Sequence, residues 1–135
     1  QMNQSIAGIV YTDGKFLVGR RLPGGQMGGR WEFPGGKVEP GETPEQTIVR
    51  EFREEFALAA EPGECITTVH FENNAGPVVL YAFRVFLSLE EKVTLSEHTE
   101  LAWETIDAIE ALDLVDSDRL LIPALRKWCL NEPDC

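Results

Sequence analysis

The chain has 135 residues, 43% of them hydrophobic, and this length predicts one domain that spans residues 1–135. With 12 basic and 23 acidic residues the formal net charge is -11, which argues against nonspecific binding to nucleic acid or to an anionic membrane. The sequence shows neither a charged-then-apolar leader nor an apolar run of membrane-spanning length, so it predicts a soluble cytoplasmic protein.

Two β-prone segments open the chain. Ser5 to Tyr11 is apolar, Asp13-Gly14 supplies a hairpin turn and Lys15 to Arg20 follows, so we expect two antiparallel strands. The stretch LPGGQMGG at 22–29 is rich in glycine and cannot form a regular element. It is therefore predicted to be a mobile loop, leading to a short strand around Trp31 to Phe33.

The best-defined element is a helix that begins at Pro44 and runs to about Ala57. Thr43 can cap this helix, Pro44 suits its first position and Gln46 completes a capping box. Helical spacing separates the side chains into two neighbouring arcs. The acidic arc contains Glu51, Glu54 and Glu55. The apolar arc, which should face the core, contains Ile48, Val49, Phe52 and Phe56.

The acidic arc calls for a partner outside the helix. Like charges at these spacings destabilise an isolated helix by about a few tenths of a kcal/mol per pair. A hard divalent cation would make the arrangement favourable, because Mg²⁺ binds carboxylate, phosphate and water oxygens. Gly35 and Gly36 just before the helix would let the backbone approach such a ligand closely.

Strands are predicted to resume after the helix. Glu61-Pro62-Gly63 is expected to turn the chain into a strand from Ile66 to Phe71. Asn73 to Pro77 should then turn it into a long strand from Val78 to Leu87.

The last third of the chain is predicted to alternate between loops and short elements. Leu89 to Thr99 is polar and should form a loop, whereas Leu101 to Glu104 should form a short edge strand that packs Trp103 inward. A short helix is expected from Ile106 to Leu112. A final helix is expected within 119–130, beginning near Pro123. Its predicted apolar face contains Leu120, Leu121, Ala124, Leu125 and Trp128. This order of elements predicts an α+β fold with a mixed sheet between helices.

The glycines and the acidic helix together resemble the signature of the Nudix hydrolases, G-x5-E-x7-R-E-U-x-E-E-x-G-U, where U is a bulky apolar residue. The matching residues are Gly36, Glu42, Arg50, Glu51, Phe52, Glu54, Glu55 and Leu58. Ala57 stands where the family has its late glycine, a departure that concerns the turn after the helix and not the carboxylates. EFPGGKVEPGETPEQ, with Arg20-Arg21 upstream, is similar to the MutT-like branch in particular.

The resemblance implies an α/β/α sandwich and a Mg²⁺-dependent enzyme, with Mn²⁺ as an alternative cofactor. Such an enzyme would hydrolyse a nucleoside triphosphate to the monophosphate and pyrophosphate. The implied metal ligands are the Gly35 carbonyl and the carboxylates of Glu51, Glu54, Glu55 and Glu97. The implied catalytic carboxylates are Glu54, Glu55 and Glu97. Glu97 matches a loop glutamate that approaches the site and could act as the base, with Glu100 as the alternative.

Supporting residues follow from the same resemblance. Arg50 and Glu42 would form an ion pair that holds the metal-binding carboxylates in place, as metal sites generally require. His98 has the unperturbed pKa of a possible base, but a lone loop histidine is more often incidental, so we expect no direct catalytic role. His70, within a strand, is expected to be structural.

Three residues are candidates for contact with the small-molecule nucleotide. Arg20 matches an arginine that this branch places against its substrate. Phe33 matches a position that lines the base pocket, although simple core packing would explain it equally well. Asp118 matches a residue that meets the base edge, and an ionised aspartate there can only accept hydrogen bonds.

A hydrogen-bond acceptor at Asp118 does not determine which nucleobase the site prefers. Guanine derivatives such as 8-oxo-dGTP offer N–H donors, and cytosine in CTP or dCTP offers an exocyclic amine. Other Nudix substrates also remain as alternatives, among them ADP-ribose, dinucleoside polyphosphates and RNA 5′ ends. A further alternative is a nucleotide-binding regulator that keeps the fold without the chemistry.

Overall fold

The computed structural model describes residues 3–88 and 93–131, which form eight strands and four helices. The strands are β1 (Asn3–Ile9), β2 (Tyr11–Thr12), β3 (Lys15–Arg21), β4 (Trp31–Glu32), β5 (Gly35–Lys37), β6 (Ala60–Asn73), β7 (Gly76–Leu87) and β8 (His98–Glu104). The helices are α1 (Pro44–Phe56), α2 (Ile106–Ala111), α3 (Asp116–Arg119) and α4 (Ile122–Cys129). None of the helices in these two described ranges is long and apolar enough to cross a lipid bilayer.

The strands form two sheets, one of which is mixed. In the first sheet the order is β5-β1-β7-β6, with β1 parallel to β7 and antiparallel to β5. In the second sheet β3 pairs with β2 and β4 and also with β8. The predicted mixed sheet is therefore confirmed.

Side chains of β1 divide between two hydrophobic clusters. Ile6 and Val10, which follows the strand, join the cluster that contains Phe52 of α1. Ala7 and Ile9 join the other cluster, to which α2 and α4 contribute. Because successive side chains of a strand point to opposite faces, helices cover both faces of the sheet. The α/β/α sandwich predicted from the sequence is confirmed.

The first predicted hairpin is confirmed at its turn and wrong in its extent. Asp13 and Gly14 have φ values of 53° and 78°, as a two-residue hairpin turn requires. However, only β2 pairs with β3 there. The strand predicted from Ser5 to Tyr11 is divided into β1 and β2. Strand β1 lies in the other sheet, where it pairs with β5 on one side and β7 on the other.

The two glycines just before the helix form part of strand β5. Gly35 pairs with Ala7, and Gly36 pairs with Ile6. A Cβ atom at Gly35 would overlap the carbonyl oxygen of Ile6. Close backbone approach thus explains this glycine.

The predicted turn at Glu61-Pro62-Gly63 is wrong, because these residues continue strand β6. The pairing of β6 with β7 shifts register between Pro62 and Cys65 and again between Cys65 and Thr67. Such bulges accommodate extra residues without ending a strand, and they tolerate proline. The glycine and proline therefore mark an irregular strand.

Several predictions for the C-terminal third require correction. Within the predicted loop, residues 89–92 lie outside the described ranges, and His98 and Thr99 begin β8. Trp103 lies in the predicted strand but does not pack inward, since it is 36% exposed. It lines a surface cavity with Asp13 of the hairpin turn, at the end of an edge strand. The separate short helix α3 was not predicted.

Two other apolar residues are exposed despite their place on predicted buried faces. Val49 is 43% exposed, because it lies at the margin of the apolar arc of α1. Leu120 is 46% exposed, because it precedes α4, which begins at Ile122 beside Pro123 as expected.

Helix α1 has the predicted N-terminal capping box and a left-handed C-terminal residue. The Gln46 N–H donates to Thr43 Oγ1 (3.1 Å), and the Thr43 N–H donates to Gln46 Oε1 (2.9 Å). At the other end Ala57 has a φ of 57° and a ψ of 34°. This is the place of the late glycine in the signature, and alanine adopts the left-handed conformation that glycine would adopt more easily.

Ala57→Gly is therefore expected to stabilise the protein by about 0.5–1 kcal/mol. Relief of left-handed strain is worth about 1–2 kcal/mol, and the extra entropy of glycine in the unfolded chain offsets about 0.4–1 kcal/mol of it. Chemical denaturation measures the change. Ala59→Gly is the matched control and should destabilise the protein, because Ala59 does not have a positive φ. A lower stability for Ala57→Gly would contradict the account.

Candidate active site

Arg50 fixes several carboxylates before any ligand arrives. Its Nε donates to Glu42 Oε2 (2.6 Å) and its Nη1 to Glu51 Oε1 (2.8 Å), while Nη2 donates to the Lys37 carbonyl oxygen (2.9 Å). Glu54 lies at the outer edge of this network, 3.3 Å from Nη1. The hydrogen bond from Arg50 is the main reason that the pKa of Glu42 falls to about 2.

Glu55 is buried and poorly paired. Only 2% of the residue is exposed, and its Oε2 has no hydrogen-bond partner among the described residues. Burial raises the pKa of Glu55 to about 10, and the nearby carboxylates of Glu51, Glu32 and Glu97 add to this effect. A buried acid among other acids needs a proton or a cation.

Strand β5 brings the backbone against this acid cluster. A Cβ atom at Gly36 would overlap the carboxylate of Glu51, so glycine is required for Glu51 to lie there. Gly35, next to it, lines a cavity beside the cluster. The donor set consists of carboxylate and carbonyl oxygens around an unpaired buried oxygen, and such a set fits a hard divalent cation.

The segment before β8 holds Glu97 beside helix α1. The Thr94 N–H donates to the Phe56 carbonyl oxygen (2.9 Å), and Ser96 Oγ donates to that of Glu54 (2.8 Å). These bonds satisfy carbonyls that the end of a helix leaves unpaired. Glu97 is exposed and acts electrostatically on Glu55. Glu100, the alternative base, instead pairs with Arg20 at 3.5 Å.

Glu32 was not singled out from the sequence, and His98 was considered there only as an incidental loop histidine. The His98 side chain is fully buried, with Nε2 2.9 Å from Glu32 Oε2 and Nδ1 3.9 Å from Glu55 Oε1. His98 is thus a buried strand residue and not an incidental loop histidine. The one available signal was Glu32 itself, which lies within the quoted EFPGG segment. Glu32, Glu55 and His98 together could hold a metal ion, since their ligand atoms lie within 4.8 Å of one another.

A cleft opens beside the acid cluster. Its outer cavity has a volume of about 530 Å³ and its inner cavity about 160 Å³. Both cavities are lined by Arg21, Glu32, Lys37, Phe71, Val115 and Ser117. Gly36 also lines the inner cavity, which therefore reaches the backbone that lies against Glu51.

Asp118 and Phe33 lie together at the inner cavity. The Phe33 N–H donates to Asp118 Oδ2 (2.8 Å), and burial raises the pKa of Asp118 to about 7. Phe33 is 2% exposed and packs edge-on against Phe16, so it belongs to the core while it also lines the cavity. The two explanations considered for Phe33 from the sequence are therefore compatible.

The structure places Arg21, and not Arg20, at the cleft. Arg20 donates through Nε to the Gly29 carbonyl oxygen (2.9 Å) and is absent from the described lining of both cavities. Arg21 lines both cavities and pairs with Glu32 at 3.0 Å. The two arginines are adjacent, and the register of β3 decides which of them faces the cleft.

Comparison with known proteins gives the class to which this fold and site belong. A family model described as NUDIX domain matches residues 2–125, and the chain therefore belongs to the Nudix family. Nudix hydrolases generally use divalent metal ions.

The relatives place the chain more closely within that family. It is 33% identical over 124 residues to the CTP pyrophosphohydrolase of Escherichia coli, covering 92% of this chain and 91% of that protein. It is also 33% identical to the putative 8-oxo-dGTP diphosphatase 2 of Mycobacterium tuberculosis, covering 84% of this chain and 81% of that protein. The solution structure of the E. coli ORF135 protein superposes with a TM-score of 0.86 at 31% identity, covering 100% of this chain and 96% of that one. The chain is a MutT-like Nudix hydrolase, an enzyme that acts on pyrophosphate bonds.

Arg50→Lys is expected to lower kcat/KM by about 10- to 100-fold, as changes in residues that hold metal ligands generally do. Lysine keeps the charge but cannot donate to Glu42, Glu51 and the Lys37 carbonyl in one fork. Steady-state kinetics measures the loss. Arg53→Lys, an exposed change on the same helix, is the control and should leave kcat/KM unchanged. Wild-type kcat/KM in Arg50→Lys would show that the network does not hold the site.

Proposed function

We propose that this protein is a Mg²⁺-dependent hydrolase of nucleoside triphosphates that releases pyrophosphate and leaves the nucleoside monophosphate. The observation that carries the proposal is the buried Glu55 carboxyl, one oxygen of which has no hydrogen-bond partner among the described residues, next to Glu51 and beside a cleft that reaches Gly36. The cytoplasm, where nucleotide pools are found, is the proposed location. One domain, 1–135, would contain the complete site.

In the proposal, side chains and backbone of this chain supply both the cation ligands and the general base. The Gly35 carbonyl and the carboxylates of Glu51, Glu54, Glu55 and Glu97 would hold Mg²⁺, or Mn²⁺ in its place. A bound cation of this kind neutralises phosphate oxygens and lowers the pKa of the attacking water. Glu97 would accept a proton from that water, because it is exposed beside Glu55, whereas Glu100 is paired with Arg20.

Cationic side chains in the cleft suit an anionic substrate despite the net charge of -11. Arg21 and Lys37 both line the two cavities, and charge-assisted hydrogen bonds from such groups to phosphate oxygens are strong. We assign to Arg21 the contact with substrate that the family resemblance implied for Arg20. The triphosphate would lie between these cations and the acids of α1.

The inner cavity would receive the base. Phe71 and Phe33 give it apolar walls, and Asp118 lines it with a carboxyl group. Above a pH of about 7 this carboxyl is mostly ionised and accepts hydrogen bonds from N1–H and the exocyclic amine of guanine. An oxidised guanine nucleotide such as 8-oxo-dGTP is the leading substrate, and sanitisation of the nucleotide pool would be its role.

A second candidate substrate is CTP or dCTP. The exocyclic amine of cytosine can also donate to Asp118. The similarity to a CTP pyrophosphohydrolase over 92% of this chain favours this candidate independently of the geometry.

A substrate panel tests the proposal. The panel contains 8-oxo-dGTP, dGTP, CTP, dCTP, ADP-ribose and a dinucleoside polyphosphate, each with Mg²⁺, and all products are identified by chromatography. A triphosphate would give pyrophosphate and the monophosphate, ADP-ribose would give AMP and ribose 5-phosphate, and the dinucleoside polyphosphate would give two nucleotides. We expect the highest kcat/KM with 8-oxo-dGTP and measurable turnover of the cytosine nucleotides. Hydrolysis in ¹⁸O-labelled water then identifies the phosphorus attacked. Tight nucleotide binding without any product in Mg²⁺ or Mn²⁺ would instead indicate a regulator.

A further inference from the structure

His98 is held rigidly between the cleft and the acid cluster. Its Nε2 lies 2.9 Å from Glu32 Oε2, and its ring stacks on Phe56 with centroids 5.5 Å apart and planes 10° apart. On β3, a Cβ atom at Gly19 would lie 2.7 Å from His98 Cδ2. The ring is thus confined on several sides, and its position leaves little room for an alternative rotamer.

The two ring nitrogens of His98 differ in their hydrogen bonding. Nε2 lies at hydrogen-bond distance from Glu32 Oε2, so this side of the ring has a partner. Nδ1 lies 3.9 Å from Glu55 Oε1, which is ion-pair distance and longer than a hydrogen bond. Neither Nδ1 nor Glu55 Oε2 has a hydrogen-bond partner among the described residues. Nδ1 faces Glu55 Oε1, and Glu55 Oε2 is thereby left for another ligand.

Glu55 has few other groups to hold it. The neighbours that act on its charge are Glu51, Glu32 and Glu97, all of them acids. The hydrogen bonds of Arg50 that the described structure shows go to Glu42, Glu51, Glu54 and the Lys37 carbonyl, and not to Glu55. The imidazole is therefore the nitrogen group at ion-pair distance from this carboxyl.

We propose that His98 is a positioning residue that holds one oxygen of Glu55 and so directs the other oxygen toward the cation, while Glu32 holds the ring. Ligating carboxylates are generally fixed by such outer hydrogen bonds. This inference rests on the proposed function in one respect, since it takes Glu55 as a metal ligand. It also gives Glu32 a role, because Glu32 lines the cleft on one side and orients His98 on the other.

Two polar variants separate the contacts of the ring. In His98→Asn the amide nitrogen falls near the place of Nδ1, on the side of the ring that faces Glu55. In His98→Gln it falls near the place of Nε2 and keeps only the contact with Glu32. Both variants retain a polar group in the buried site. We therefore expect both of them to fold, even if His98→Ala does not. His70→Ala, at an exposed histidine of β6, is the matched control.

The measurement is the affinity of the protein for Mn²⁺ without nucleotide, followed by electron paramagnetic resonance, together with the Tm of each variant. We expect His98→Ala and His98→Gln to bind Mn²⁺ about 10- to 100-fold more weakly than the wild type. His98→Asn should recover most of the affinity, and His70→Ala should match the wild type. Wild-type affinity in His98→Gln would overturn the proposal.

A second measurement uses the unaltered protein. Addition of Mg²⁺ should shift the ¹⁵N resonance of His98 Nδ1 more than that of Nε2, because Nδ1 faces the carboxyl that binds the ion. A ¹⁵N resonance of His98 Nδ1 that does not move on saturation with Mg²⁺, or that moves no more than that of Nε2, would overturn the proposal. Neither measurement needs a substrate, so a protein that hydrolyses none of the nucleotides in the panel would remove the proposed function and leave this inference standing.

Discussion

Glu55→Gln is expected to lower kcat by about 10²–10³-fold. The neutral amide would bind the cation more weakly than the carboxylate, and the cation neutralises the charge that develops on the phosphate. The same change should raise the Tm of the metal-free protein. It replaces a buried carboxyl that has an unpaired oxygen with a neutral amide of the same shape. Steady-state kinetics with saturating Mg²⁺ and thermal unfolding in the presence of EDTA measure the two effects.

The stability effect of Glu55→Gln should depend on pH in a defined direction. The pKa of Glu55 is raised from 4.5 to about 10, chiefly by burial, so between these values the folded state binds more protons than the unfolded state. Stability of the metal-free wild type should therefore fall as pH rises through this window. The free energy of unfolding of Glu55→Gln should fall less.

Glu45→Gln, in the first turn of the same helix and exposed, is the matched control for both effects. It should leave kcat and the pH dependence of stability unchanged. Wild-type kcat in Glu55→Gln would remove the proposed metal site. A metal-free stability curve that is the same in both proteins would show that Glu55 is not held in the folded state as described.

Asp118→Asn is expected to lower kcat/KM for the preferred nucleotide by about 10- to 100-fold, the effect of one lost hydrogen bond to a charged group. The asparagine oxygen can still accept the Phe33 N–H, which Asp118 now binds at 2.8 Å, so the backbone should stay in place. The amide nitrogen then presents a donor to the cavity where the wild type presents an acceptor. Kinetics with 8-oxo-dGTP, dGTP, CTP and dCTP measures the change.

The same carboxyl predicts a pH effect on base preference. Burial raises the pKa of Asp118 to about 7, so its acceptor form increases as pH rises through that value. The kcat/KM for 8-oxo-dGTP relative to a triphosphate without base donors should increase over the same range in the wild type and stay constant in Asp118→Asn. Asp113→Asn, an exposed change nearby, is the control. Equal losses for every nucleotide would mean that Asp118 acts on the fold and not on the base.

Local sequence signals predicted helix α1 well because its determinants are local. The capping box depends on Thr43 and Gln46 alone, and the spacing of Glu51, Glu54 and Glu55 depends on helical geometry. The mixed sheet followed from the order of strands and helices. These features needed no knowledge of which distant residues meet.

The features that were missed depend on contacts between distant strands. His98 is buried because β8 pairs with β3 in a register that puts it opposite Arg21, above Gly19 and next to Glu32. The exposure of Trp103 follows from the edge position of the same strand. A one-residue difference in register exchanges the faces of a strand, which is why the sequence pointed to Arg20, whereas Arg21 lines the cleft.

Anomalous diffraction from crystals grown with Mn²⁺ and a nonhydrolysable nucleoside triphosphate tests the central claim most directly. We expect a Mn²⁺ peak at coordination distance from carboxylate oxygens of Glu51 or Glu55, with a phosphate oxygen of the nucleotide on the same ion. A peak at another place in the protein, with the nucleotide bound in the cleft and those carboxylates directed away from it, would contradict the account.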